Sequence, residues 1–149
     1  MTPGRPPAID LVVDTSAILA LALEEPTAHA IQAVLESAGG PVISAAIVVE
    51  LHIVAAARFG PAGAEAAGTI LDAANVVTMP VDAIQIDLAT TAWDRFGRGN
   101  SPARLNYGDC FSYALARHLD VPLLCVGDDF SRTDLDIVEL TVQPGANRP

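Results

Sequence analysis

The stretch LNYGDCFSYALARHL, residues 105–119, decides how the chain is read. At 100° per residue its apolar side chains cover most of a helix circumference, with Asp109, Ser112 and Arg117 as the main polar interruptions. A helix of that pattern belongs in a core. Asn106 is placed to cap it, which puts Asp109 in the first turn, where free backbone N–H groups and the helix dipole favour negative charge. One acid there has an ordinary explanation as a complement to the dipole, and only further acids converging on the same point give it another role.

On both sides of this stretch short apolar runs alternate with helical patterns. Ile9–Val13, Val42–Ser44, Val76–Met79, Pro122–Val126 and Ile137–Val142 read as strands. Between them lie helices over Ala17–Leu23, with Thr15 and Ser16 as caps, from Pro26 to about Ser37, and over Ala45–Phe59 behind a Ser44 cap. Gly60 and Pro61 end that helix, Ala62–Ala74 forms another, and Asp82–Phe96 a further one with Ile84, Leu88, Thr91 and Trp93 on its inward side. Strands that are apolar at nearly every residue and alternate with helices predict an α/β fold with a central, mainly parallel sheet of about five strands, covered on both faces. Such a sheet gathers functional residues at the C-terminal ends of its strands.

The 149 residues suit one domain, with loose ends at 1–7 and 143–149. The net charge of −10 argues against holding a polyanion on a broad basic surface. All 8 basic residues are Arg, and Arg95, Arg98 and Arg104 fall together just before the opening stretch, so any phosphate contact is local. Cys110 and Cys125 read as reduced, buried thiols. The N-terminal MTPGRPPAIDLVV is broken by prolines and acids and does not resemble a signal peptide, and charges interrupt the apolar runs, so a cytoplasmic protein without a membrane span is expected.

Several acids stand where the strands end. Asp14 closes the first strand, Asp109 heads the central helix, and Asp128 and Asp129 follow the fourth strand. Glu50 lies in IVVELHIV, six residues past Ser44 and too deep in its helix for the free N–H groups to reach. A buried carboxylate without a partner costs several kcal/mol, and the chain has no Lys to offer. Carboxylates that meet repel one another, a conflict that a divalent cation with oxygen ligands, Mg²⁺ or Mn²⁺, relieves.

At this point the sequence resembles a known family. VVDTSAILAL, ISAAIVVEL, LNYGDCFSYALA and LLCVGDDF, in this order over about residues 8–142, are similar to the motifs of PIN-domain ribonucleases, in particular VapC-type toxins of toxin–antitoxin pairs. The resemblance implies a three-layer α/β/α fold and an Mg²⁺-dependent endoribonuclease that leaves a 5′-phosphate and a 3′-hydroxyl, with Mn²⁺ as a substitute metal. Its acids fall on Asp14, Glu50, Asp109 and the Asp128-Asp129 pair, where the Gly-x-Asp-Phe form favours Asp129 and keeps Asp128 second. Asp14 and Asp109 are the expected direct metal ligands, with Glu50 and Asp129 supporting them. Thr15, Arg95, Arg98 and Arg104 are candidates for holding the RNA. The implied partners are a cognate VapB-type antitoxin and a second copy of the chain, and Leu19, Leu23, Ile31 and Leu35 offer either a groove for an amphipathic helix or ordinary core. The chain departs from the family in carrying several extra residues before the first strand.

Two other functions compete. VVDTS also resembles a phospho-acceptor site of an aspartyl-phosphate phosphotransferase, but Ser16 stands where a second Asp is wanted, and no Lys is present. A non-catalytic module with a relict metal site is the other.

Overall fold

The computed structural model describes residues 7–142; the loose ends expected at 1–7 and 143–149 lie, Pro7 apart, outside them. Strands β1 (Leu11–Val13), β2 (Pro41–Ser44), β3 (Val77–Met79) and β4 (Leu123–Leu124) form a wholly parallel sheet in the order β3-β2-β1-β4. Successive residues of a strand point to opposite faces, so the sheet builds two cores. Leu11, Val13, Ile43 and Leu124 pack on one side with helices α1 (Thr15–Ala22), α2 (Ala28–Ser37) and α3 (Ala45–Ala73). Val12, Val42 and Leu123 pack on the other with α4 (Ala83–Phe96) and α5 (Tyr107–Leu119). The result is the expected α/β/α arrangement.

The fifth strand expected over Ile137–Val142 is reduced to one parallel bridge between Leu123 and Ile137. Leu123 N donates to Asp136 O at 2.9 Å and Val138 N to Leu123 O at 3.0 Å, after which the two-residue β4 has no more backbone to offer. Helix α1 starts two residues earlier than expected because Asp14, rather than Thr15 or Ser16, is its cap and accepts from Ser16 N at 3.1 Å. Ser44 holds the N-cap position of α3 without a side-chain cap bond.

Gly60 adopts φ 72°, ψ −170°, which divides α3 at the position where Gly60-Pro61 predicts a break. By composition α3 is apolar enough to cross a bilayer, but the pieces 45–59 and 61–73 are each well short of the ~20 residues a span needs. Of the inward side expected for helix α4, Leu88 packs against the core, but the rest of the buried stripe is different. Ile84 is 57% and Trp93 41% exposed, whereas Gln85, Ala89 and Ala92 are buried. Small residues at 89 and 92 let α4 approach α5 closely, and this packing overrides the rule that the largest apolar groups go inside. On α2, Ile31 and Leu35 are core, so of the residues expected to line a partner groove only Leu23 is exposed and Leu19 half-buried.

Helix α5 behaves as its pattern predicts. Asn106 Oδ1 accepts from Asp109 N at 2.8 Å while Asp109 Oδ2 accepts from Asn106 N at 3.0 Å, a reciprocal capping box. Its body, from Cys110 and Ser112 to Ala116, is buried, and Asp120 ends it in the left-handed conformation at φ 53°.

Candidate active site

The connections after β1 and β4 leave from neighbouring strands and run to opposite sides of the sheet. That reversal marks the C-terminal ends of β1 and β4 as the place where open parallel sheets carry their functional residues. Asp14 follows β1 at this point, and its side chain is 4% exposed. Three donors satisfy it. Ser112 Oγ donates to Oδ1 at 2.6 Å, and Ser16 donates to Oδ2 through Oγ at 2.7 Å and N at 3.1 Å. Hydrogen bonds to an ionised acceptor are among the strongest available, and three of them hold this carboxylate in one orientation.

Glu50 comes to the same place from α3, half-buried, with Thr15 Oγ1 donating to Oε2 at 2.6 Å. Burial raises its pKa and the charge of Asp14 adds to that, while the Thr15 bond offsets part of it. The head of α5 lies directly over it, and a Cβ at Gly108 would overlap the Glu50 carboxylate.

Asp109 stands one residue further along α5. Its pKa is pushed up from 3.8 to about 7, first by burial and then by the charges of Asp14, Glu50 and Asp129, against the lowering effect of the Asn106 backbone bond. All three of those carboxylates are near enough for their charge to act on Asp109. Asp129 belongs to the group through its field at Asp109, and it opens a 3₁₀ turn, Phe130–Arg132, after Gly127 at φ +100°. Asp128, exposed beside it, contributes its backbone carbonyl to Ser131 Oγ at 2.7 Å. The buried thiols nearby are inert: burial above all, with Asp109 beside Cys110, holds that thiol at about 11, and burial with Asp14, Asp109 and Asp129 holds Cys125 at about 12.

Among the described residues no three His, Cys, Asp or Glu side chains form a ready metal-ligand group. Asp14 is turned to two serines, Glu50 to Thr15 and Asp109 to its own cap, so each negative group uses a hydroxyl or amide donor as it stands.

The remaining candidates divide. Thr15 is committed to Glu50. Arg95 pairs with Asp134 at 3.3 Å and lies 4.6 Å over the Phe96 ring, which turns it to the chain's own acid. Arg98 and Arg104 are exposed on a loop pinned at its base by Leu105 N to Phe96 O and Arg98 N to Leu105 O, both 2.9 Å. Ser16, a candidate beside Thr15 for orienting a water or a ligand, holds Asp14 instead, and two residues absent from the sequence reading of the site belong to it: Ser112 and Gly108. Ser112 had a signal, since it lies three residues from Asp109 on an otherwise apolar helix face.

The PIN domain family model matches residues 11–135. Ribonuclease VapC30 of Mycobacterium tuberculosis is 41% identical over 130 residues, covering 87% of this chain and 99% of that one. A ribonuclease VapC of Mycolicibacterium smegmatis is 41% identical over 128 residues, covering 86% and 99%. Among solved structures, Mycobacterium tuberculosis VapC20, a toxin that cleaves the sarcin-ricin loop, superposes with a TM-score of 0.69 at 23% identity, covering 87% of this chain and 98% of that one. VapBC2 from Rickettsia felis, bound to a DNA fragment from their promoter, superposes with 0.70 at 12% identity, covering 88% and 98%; at such identities the likeness is one of fold. With the family model spanning most of its length and relatives matched nearly from end to end, the chain belongs to the PIN-domain family, among its VapC members.

Proposed function

We propose that this chain is a metal-dependent endoribonuclease of the VapC kind, a toxin neutralised by a VapB-type antitoxin. The observation that carries the reading is the meeting of Asp14, Glu50, Asp109 and Asp129 at the C-terminal edge of the sheet, in a chain whose relatives are ribonucleases. The donor set fits Mg²⁺ or Mn²⁺, because it is all oxygen and, beyond burial, the groups that raise the Asp109 pKa are themselves carboxylates, a repulsion that a cation removes. Asp14 and Asp109 are the residues that would hold the ion, with Glu50 and Asp129 completing the negative pocket. A cation held there would supply Lewis-acid stabilisation of the phosphodiester and lower the pKa of water.

The chain's own residues do the rest. Ser16 and Ser112 keep Asp14 in one orientation, so no side-chain entropy is lost there when the ion binds. Thr15 holds Glu50 in the same way. Arg98 and Arg104, exposed on the loop that leads into α5, supply local positive charge for RNA phosphates on a protein of net charge −10. The chain is also proposed to pair with a second copy, which sedimentation velocity reads directly.

The test is purified protein with RNA in Mg²⁺, Mn²⁺ or EDTA, beside Asp109→Asn. Cleavage to 5′-phosphate ends that stops with EDTA and with the variant is expected. Cleavage indifferent to both sinks the proposal, phosphate retained on Asp14 marks a phosphotransferase, and metal binding without turnover marks a non-catalytic module.

A further inference from the structure

We propose that Tyr113, Asp134 and Arg95 form a clamp that positions Asp129, so that helix α5 sets the place of every acid in the site. This rests on the metal-dependent reading above. Asp129 lies in an excursion of the chain that leaves β4 at Cys125 and returns to it through the bonds of Leu123 with Asp136 and Val138. Asp129 is exposed and makes no cap bond on the turn it opens, so its position is set by how the ends of that excursion are held.

The near end is held by the site itself. Val126 N donates to Ser16 Oγ at 3.0 Å, and the same hydroxyl donates to Asp14 Oδ2 at 2.7 Å. In the middle, Phe130 is buried as a plug, and Thr133 Oγ1 closes the turn on Phe130 O at 2.6 Å. The far end is tied by Asp134, whose two oxygens take different donors: Tyr113 O–H to Oδ1 at 2.7 Å and the Arg95 guanidinium to Oδ2 at 3.3 Å. Tyr113 is 2% exposed and its ring packs 5.7 Å from Phe96, on which Arg95 rests. A phenol fixed in the core is a rigid anchor for a loop. Arg95 is the looser arm, since its side chain is 53% exposed and screened by solvent.

Along α5 the assignments follow in order. Gly108 lies over Glu50, Asp109 is itself an acid of the site, Ser112 holds Asp14, and Tyr113 holds the segment that carries Asp129. One helix therefore keeps the register of four carboxylates drawn from four parts of the chain. Tyr113 and Asp134 are positioning residues: they act on Asp129 only through the segment that carries it.

The experiment measures Mn²⁺ binding to the full chain by electron paramagnetic resonance without RNA, beside thermal melting. Tyr113→Phe, which keeps the ring and removes the hydroxyl, should weaken Mn²⁺ roughly tenfold, within the range that outer partners of metal ligands show. Asp134→Ala should do the same, the double variant should lose no more than either alone, and Asp134→Asn, which keeps an acceptor for the phenol, should recover most of the affinity. If Tyr113→Phe fails to fold, Asp134→Ala, at a partly exposed position, carries the test alone. Variants that bind Mn²⁺ as the parent does overturn the clamp and leave the metal reading intact. A parent chain that binds no Mn²⁺ overturns the metal reading, and the clamp with it.

Discussion

Ser112 Oγ lies 2.6 Å from Asp14 Oδ1, a buried bond that joins α5 to the end of β1 across 98 positions of the chain. Ser112→Ala removes one of three donors to a carboxylate with almost no access to solvent, and an unmet bond of this kind costs about 1–3 kcal/mol. The variant should unfold at lower denaturant with an unchanged slope. Its RNA cleavage should fall roughly tenfold at saturating Mg²⁺, the scale on which outer partners of metal ligands act. Equal stability and equal turnover would show that Ser16 alone suffices to hold Asp14.

Gly108 is required by a side chain rather than by its own backbone. It lies within α5, where Ala is the better helix former by up to about 1 kcal/mol. A Cβ there meets the tip of Glu50, a flexible group that is able to move away, so Gly108→Ala should fold with a melting temperature close to the parent's. Glu50 then leaves its 2.6 Å bond with Thr15, and activity should drop by about 10- to 100-fold. Calorimetry and cleavage rates on the same preparation decide it: loss of fold, or full activity, contradicts the reading.

Much of this arrangement was legible in the sequence because it rests on local rules. The apolar run of 105–119, the Asn106 cap and the strand-end acids each follow from periodicity or from backbone valence, and each stands in the structure where the pattern puts it. What escaped depends on pairs distant in the chain. Ser112 reaching Asp14, Tyr113 reaching Asp134 and Gly108 yielding to Glu50 involve separations that no local pattern encodes. The inward face of α4 escaped for a related reason: contact with α5 selects Ala89 and Ala92 for their size, whereas periodicity counts only hydrophobicity. The fifth strand failed because a ladder needs two partners, and β4 is two residues long.

The adjacent acids after β4 separate by their surroundings. Asp129 contributes to the field at Asp109, whereas the Asp128 backbone carbonyl accepts from Ser131 as part of the turn. Asp129→Asn should therefore weaken Mn²⁺ binding and cleavage, on the order of tenfold or more. Asp128→Asn should leave both within about twofold, since a neutral isostere keeps the turn and surface substitutions are mild. Parallel titrations of the two variants check this, and the opposite ranking would move the fourth acid to Asp128.

Asp109 ties stability to pH with a definite sign. Its folded pKa of about 7 lies above its ordinary 3.8, so the folded state holds the proton more tightly than the unfolded chain does. The resulting stabilisation is complete below about pH 4 and disappears as pH rises through 7. At full shift this amounts to about 4 kcal/mol, and roughly half of that after solvent screening at the half-open site. Glu50, raised for the same reasons of burial and charge, acts in the same direction. In EDTA the parent should lose stability from pH 4 to pH 7, and Asp109→Asn, which cannot ionise, should lose clearly less. Mg²⁺ competes with that proton, so the stabilisation it confers should grow across the same window and be small in the variant. Denaturation curves at pH 5 and pH 7.5, with and without Mg²⁺, give four numbers for each protein. A parent whose metal-free stability is flat in pH would show that Asp109 is already ionised in the folded chain.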